Sequence, residues 1–272
     1  DMEEYLACKA KLFSLCKVGV VNADDPSVEG VLRGHTCQVK TYAMDRPADL
    51  TGSGCRHLTK PGFLGLAGDV AGEENFTAEV GIPGRFNAYN ALAAIGACHQ
   101  LGIPQEAMKR GLSQVKVKGR VEPVPVPGDY TLLLDYAHNA VSMENLLTTL
   151  REYEPRRLIV LFGAGGNRPK VRRYEMGEAC GKLADLSVIT ADNSRFEDVN
   201  DIIADILVGM KKTQGQYVTI PDRREAMGWC LDHAQPGDIV VFAGKGHEDY
   251  QEINGVKHPF DERVVIKELL KE

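Results

Sequence analysis

The sequence predicts an α/β protein whose second half is a doubly wound, mostly parallel sheet. Four short runs, Leu132–Leu134, Leu158–Phe162, Leu186–Thr190 and Ile239–Ala243, are continuously apolar, as strands buried on both faces must be. Helical patterns separate them at Val141–Leu150, Arg172–Leu183, Val199–Met210 and Arg223–Ala234. Such alternation builds a parallel sheet with helices on both faces. The 272 residues leave room for about two domains. The three prolines of Val121–Gly128 mark a linker or edge strand, dividing the chain into 1–120 and 121–272.

In the first half, Met2–Cys16 has helical spacing, with Met2, Tyr5, Leu6, Leu12, Phe13 and Cys16 on one stripe. A short strand is expected at Val18–Asn22, then a turn at Asp24-Asp25-Pro26. Asp49–Gly81 is rich in Gly and Thr with short alternating runs, which predicts hairpins. Phe86–Leu101 reads as a helix that Gly102 stops, and Pro104 opens the next. Lys9 falls inside the apolar stripe, whereas Lys11 falls with Glu4 on the polar side. A lysine so placed either snorkels to water or holds a desolvated, partly neutral amine open to modification.

Composition narrows the function. With 43% hydrophobic and 26% charged residues, disorder and coiled coil are excluded. No apolar run approaches the roughly 18 residues of a membrane span. The opening Asp1-Met2-Glu3-Glu4 does not read as a secretory signal. Running straight into a helix, it leads us to expect a piece of a longer protein. The net charge is −6; residues 1–120 hold 14 basic and 13 acidic groups, leaving 18 and 25 in the remainder. An acidic second half argues against nucleic acid or membrane as partner. Seven cysteines with no C-x-x-C pair suit reduced, mostly buried thiols in a cytoplasmic protein.

In open parallel sheets, ligands bind outside the carboxyl ends of the strands. All four runs are followed there by polar, glycine-rich clusters. Asp135-Tyr136-Ala137-His138-Asn139 follows the first run. Gly163-Ala164-Gly165-Gly166-Asn167-Arg168, trailing into Lys170, Arg172 and Arg173, follows the second. Asp192-Asn193-Ser194-Arg195 follows the third, and Gly244-Lys245-Gly246-His247-Glu248-Asp249 the fourth. Taken singly, these read equally as a capped helix start or as polar turns. The glycines after Phe162 imitate G-x-G-x-x-G, but Arg168 holds the third glycine's place, which disfavours a dinucleotide site. Four clusters on one edge predict a site.

These clusters, in this order, resemble the Mur ligase family of peptidoglycan synthesis. The resemblance is carried by "EEYLACKAKLF", "VNADDP", "PGRFNAYNALAA", "VKGRVEPV", "LLDYAHN", "VLFGAGGNRPKVRRYEMG", "TADNSRFED" and "AGKGHEDYQ", which span Glu3 to Gln251. It implies the later half of a central ATPase domain over residues 1–120 and a Rossmann-like C-terminal domain over 121–272. The chain has no G-x-x-x-x-G-K-[ST] motif. The resemblance therefore implies a triphosphate cradle upstream, and no ligase activity from these residues alone.

For the branch that adds the third amino acid, the resemblance implies ATP-driven addition of meso-diaminopimelate to UDP-N-acetylmuramoyl-L-alanyl-D-glutamate through an acyl phosphate, with Mg²⁺. Lys9 would be the lysine the family carbamylates, its carbamate an oxygen ligand for Mg²⁺. Asn90 would lie near the adenine and Arg120 at the ATP phosphates, with Asp135, Tyr136 and His138 around the ribose. The incoming amino acid would meet Arg173, Asp192, Asn193, Arg195, Gly244 and Glu248. Diaminopimelate-adding relatives read Asp-Asn-Pro-Arg where this chain has Asp192-Asn193-Ser194-Arg195. The arginine suited to a second carboxylate is kept, and loss of the proline predicts a freer loop. The alternatives are an L-lysine-adding ligase, a sister ligase (the next Mur enzyme or folylpolyglutamate synthetase), and a non-catalytic binding module.

Overall fold

The computed structural model describes residues 2–60 and 63–271. Two compact units form, one of residues 1–58 and 64–115 and the other of residues 59–63 and 116–272. Lys116–Arg120, which the sequence reading gives to the first domain, belongs to the second. Its backbone is tied there by a bond from the Gly119 N–H to Glu122 Oε2 and by close approach of Gly119 to Gly246.

The first unit runs α1 (Met2–Leu15), β1 (Val18–Asn22), α2 (Val28–Val31), β2 (Gln38–Ala43), β3 (Leu50–Lys60), β4 (Phe63–Gly72), β5 (Phe76–Val80), α3 (Arg85–Gln100) and α4 (Gln105–Gln114). The five strands lie in chain order across one sheet; β1, β2 and β3 pair in parallel, β4 and β5 antiparallel. Residues 61–62, inside the expected hairpin region, lie outside the described residues. Leu50, Phe76, Leu92, Ile95 and Met108 make a core between the sheet, α3 and α4.

Helix α1 corrects the sequence reading. Tyr5 is 57% and Leu12 63% exposed, and Lys9 is exposed with them. The half-buried side is Leu6, Ala10 and Phe13, with Leu6 packed over Gly30 and Phe13 over Gly19. Lys9 borders that side and lies 5.3 Å from the centre of the Tyr5 ring. The burial that the apolar stripe led us to expect around Lys9 is therefore not found. The Met2 side chain lies outside the described residues.

The second unit runs β6 (Glu122–Val124), β7 (Thr131–Asp135), α5 (Ala140–Arg151), β8 (Leu158–Phe162), α6 (Lys170–Leu183), β9 (Leu186–Ile189), α7 (Val199–Met210), β10 (Gln216–Thr219), α8 (Arg223–His233), β11 (Ile239–Ala243), β12 (Tyr250–Ile253), β13 (Val256–Pro259) and α9 (Glu262–Leu269). Its main sheet has the order β10-β9-β8-β11-β7-β6, parallel except for the edge strand β6. Leu132, Leu134, Ile159, Leu161, Val240 and Phe242 pack against Met227 and Cys230 of α8 and Ile266 of α9. Alternation along the strands sends Leu133, Val160 and Val241, all fully buried, to the opposite face. β8 and β11 are buried at every position, which is why they read as unbroken apolar runs.

The elements that left no periodic signal are the exposed ones. β10 is an edge strand with a single half-buried residue, and β13 is exposed throughout. The expectation of mostly buried thiols holds for Cys37, Cys180 and Cys230, whereas Cys8 and Cys55 are exposed. Among the described residues, no helix is long and apolar enough to cross a membrane.

Arg223, at the first turn of α8, fixes the strand ends on which a site would stand. Its Nη1 donates to the Ala191 carbonyl (3.0 Å) just beyond β9, and its Nη2 to the Ala243 carbonyl (2.9 Å) at the end of β11. Nε donates to Glu262 Oε1 at 2.9 Å, and both side chains are at most 1% exposed. Removing one member of a buried pair strands the other charge. Arg223→Met should therefore cost about 3–5 kcal/mol in urea unfolding, and Arg223→Met with Glu262→Met clearly less. A double substitution as damaging as the single one would contradict this account.

Candidate functional site

The loops after β7, β8, β9 and β11 converge on one cavity of about 220 Å³ in the second unit. Each loop is held by bonds that its own residue types dictate. At the end of β7, Asp135 accepts from the Ala137 N–H (2.7 Å) and the Val121 N–H (2.8 Å). Burial pushes its carboxyl up, against those two bonds and the charge of Arg120, which pull it down. Val121 sits at φ 40°, in the left-handed region, where a β-branched residue stays only if held; the Asp135 bond holds it beside exposed Arg120. Asn139 caps α5 by accepting from the Ser142 N–H at 2.9 Å, so the last residue of the first cluster is structural.

Tyr136 stands between two imidazoles, His138 and His247, each with its ring centre 4.8 Å away. Its hydroxyl lies 3.4 Å from Glu248 Oε1. Burial and the Glu248 charge raise the tyrosine's pKa, keeping it protonated and able to donate. Tyr136, His138 and Glu248 line the cavity. His247 is a further aromatic edge that the sequence placed only within a polar cluster.

The loop after β9 is fixed, which overturns the freedom expected from serine in place of proline. Ser194 is 3% exposed. The Gly166 N–H donates to the Asn193 carbonyl at 2.8 Å and the Arg195 N–H to the Glu252 carbonyl at 2.9 Å. A Cβ at Gly166 would stand 1.9 Å from the Ser194 carbonyl oxygen, so only glycine lets the two loops meet. Arg195 itself adopts φ 53°, and its Nη1 donates to the Gly166 carbonyl at 2.7 Å. Its Nε reaches Glu252 at 3.3 Å. Glu252 lies on β12, an element without a sequence signal, and so was missed.

Arg173 lines the cavity and is also committed within the fold. It is 1% exposed, and its Nη1 and Nη2 donate to Glu197 (2.8 and 2.7 Å) and Asp205 (2.9 Å). Its terminal nitrogens thus brace α6 against α7, and only Nε is buried without a partner. Arg168 and Arg172 line the same cavity and, among the described residues, make no ion pair or side-chain hydrogen bond. The cavity thus pairs a cationic wall (Arg168, Arg172, Arg195) with the carboxylates of Asp192 and Glu248. Such a site takes a zwitterion carrying an additional anionic group.

Two residues singled out by sequence lie in the first unit. Lys9 is exposed on α1, and Asn90 is exposed on α3, where its Nδ2 donates to Asn87 Oδ1 at 3.0 Å. Among the described residues, no group of three or more His, Cys, Asp or Glu side chains is placed to hold a metal ion.

The Mur ligase middle domain matches residues 1–98 and the Mur ligase glutamate ligase domain matches residues 119–246. A UDP-N-acetylmuramoyl-L-alanyl-D-glutamate--2,6-diaminopimelate ligase of Caldanaerobacter subterraneus subsp. tengcongensis is 42% identical over 274 residues, covering 100% of this chain and 56% of the relative. The chain thus spans about half the length of that relative. A solved structure of a ligase of the same name superposes with a TM-score of 0.79 at 31% identity, covering 100% of this chain and 57% of the other. A folylpolyglutamate synthase from Thermotoga maritima superposes at 0.65 with 19% identity, covering 89% of this chain and 55% of the other, a likeness of fold alone.

The Arg173 guanidinium beside Glu197 holds that carboxyl at about 2, below its ordinary 4.5. A carboxyl lowered on folding stabilises the protein above its unfolded pKa, and that stability is lost as pH falls through the folded value. Unfolding free energy should therefore fall between pH 4.5 and about 2. Glu197→Gln should flatten that slope in pH-dependent urea titrations, and an unaltered slope would contradict the pairing.

Proposed function

The chain belongs to the Mur ligase family, with matches to its middle and C-terminal domains, and on that premise we propose that the intact protein is an ATP-dependent amide ligase adding meso-diaminopimelate to UDP-N-acetylmuramoyl-L-alanyl-D-glutamate. One observation carries the choice of amino acid: the guanidinium groups of Arg168, Arg172 and Arg195 line the same cavity as the carboxylates of Glu248 and Asp192. Diaminopimelate presents two amines and two carboxylates, so its ends match both walls. L-Lysine would bring an ammonium to a wall of arginines, leaving cations unpaired. The name and identity of the relatives favour the same branch over the sister ligases.

In this reading the D-glutamate γ-carboxylate first takes the γ-phosphoryl group of ATP, becoming an acyl phosphate. The amine of diaminopimelate then attacks the acyl carbon, and phosphate leaves. Glu248 holds the amino acid's ammonium through Oε1, and Arg195 receives the distal carboxylate through Nη2, which no internal bond uses. Asp192, Asn193 and Gly244 shape the same wall, and Arg173 braces the α6 end of it. Asp135, Tyr136 and His138 form the ribose side of the nucleotide site, Arg120 meets its phosphates, and Asn90 lies by the adenine. Arginines and tightly placed donors suit the charge that develops in both steps.

Magnesium is the metal such phosphoryl transfer uses. The described residues do not by themselves make a site for it. A carbamate on Lys9 would contribute one hard oxygen ligand, and exposure of the amine leaves it open to CO₂. The reaction belongs to peptidoglycan precursor synthesis in the cytoplasm.

Three outcomes follow. Phosphate release by the intact protein should depend on meso-diaminopimelate and run at least about tenfold faster than with L-lysine. Arg195→Ala should raise KM for diaminopimelate roughly a hundredfold while sparing KM for ATP. Equal or better rates with L-lysine would refute the assignment. With ¹³C-bicarbonate, the intact protein should show a carbamate carbon signal that Lys9→Ala abolishes along with most turnover. Near-normal turnover of Lys9→Ala would refute the role given to Lys9.

A further inference from the structure

Lys245 is a buried cation at this edge that has no part in the proposed ligase chemistry so far. It is 0% exposed and does not line the cavity, although Asp192, Asn193, Gly244 and Glu248 around it do. Its burial is built into the backbone. Gly244 and Gly246 on either side adopt φ 108° and 50°, conformations that side chains disfavour. A Cβ at Gly244 would stand 2.7 Å from Asp192 Oδ2, and one at Gly246 2.7 Å from Tyr136 Cβ. These two glycines turn the chain so that the lysine points under the site and not into it.

The ammonium faces three acceptors from two loops: Asn193 Oδ1 at 3.1 Å, Glu248 Oε2 at 3.4 Å and Asp192 Oδ1 at 3.6 Å. An asparagine can present either end of its amide. Here Oδ1 receives both the Lys245 ammonium and the Glu252 N–H (2.9 Å), so Nδ2 must point to Glu248, which it meets at 2.9 Å. Glu248 Oε2 is thereby spent on Asn193 and Lys245, and Oε1 is left to the Tyr136 hydroxyl and to the cavity. Without the ammonium, Asp192 and Glu248 would repel each other, and Glu248 Oε2 would keep only its bond from Asn193.

We propose that Lys245 is a positioning residue for amino-acid binding: it holds Oε2 of Glu248 and so keeps Oε1, which also meets the Tyr136 hydroxyl, turned toward the substrate's ammonium. This inference rests on the ligase reading and deepens it, because it concerns the amino-acid half of the site alone. The polar partners of the Lys245 ammonium, Asn193, Glu248 and Asp192, are none of the residues assigned to ATP, so the two KM values separate its role from a general loss of structure.

The test uses the intact protein and its Lys245→Met and Lys245→Gln variants, with phosphate release followed against each substrate. KM for meso-diaminopimelate should rise roughly tenfold or more, with KM for ATP held within about twofold. A variant that folds and keeps both KM values would overturn the proposal. If neither variant folds, the unmutated protein decides. Its buried Lys245 ammonium should give a protected ¹⁵N resonance that shifts on adding diaminopimelate and not on adding ATP; absence of that shift overturns the proposal. No amino-acid-dependent turnover in the unmutated protein would refute the functional reading, and this inference with it.

Discussion

A charge withdrawn from water must meet an opposite charge nearby or the fold cannot hold it. At the carboxyl edge of the six-stranded sheet that requirement applies to Arg173, Arg223 and Lys245, each at most 1% exposed. Each is answered by a carboxylate from another part of the chain, Glu197 and Asp205 for Arg173, Glu262 for Arg223 and Asp192 for Lys245, which also meets Glu248 of its own loop. Those pairings draw loops from separate strands together and give the edge one arrangement. The apolar strands beneath provide a platform, and the ion pairs decide what stands on it.

From this follows a division of labour among cations that look alike in the sequence. Arg172 and Arg173 are neighbours on one helix, yet the second is spent on Glu197, just before α7, and on Asp205 within it, while the first is left to the cavity. Helix α6 opens with Lys170, Arg172 and Arg173 and has no acidic residue in its first turn, so its amino end adds to the positive wall. The same cavity is lined by Glu248, whose Oε2 is spent on Asn193 and Lys245 while Oε1 meets only the Tyr136 hydroxyl among the described residues. The cavity's polarity is thus a by-product of which charges the fold has already neutralised.

Much of this was legible in the sequence because burial leaves a pattern. Leu158–Phe162 and Ile239–Ala243 are fully buried strands and could be read as such, and the clusters after them fell on the edge where parallel sheets bind ligands. The hairpin of β12 and β13 is partly or wholly exposed, so its residues carry no periodicity, and Glu252, which anchors Arg195, was hidden with it. Lys9 shows the reverse error. Helical spacing put it among apolar residues, but Tyr5 and Leu12 of that stripe face solvent. Spacing reports which residues share a side, and only packing reports whether that side is covered. The serine at position 194 misled for a related reason: the loop is fixed by backbone bonds and by Gly166, whose contribution no local propensity reveals.

The central claim is that committed and uncommitted charges at one sheet edge make a site for a zwitterion with a second carboxylate. A crystal structure of the intact protein grown with meso-diaminopimelate tests it most directly. The account predicts the amino acid in the cavity of the second unit, one ammonium on Glu248 Oε1 and one carboxylate on Arg195, with Lys245 still buried beneath Asn193. Diaminopimelate bound elsewhere, or bound in the cavity with its carboxylate away from Arg195, would contradict it.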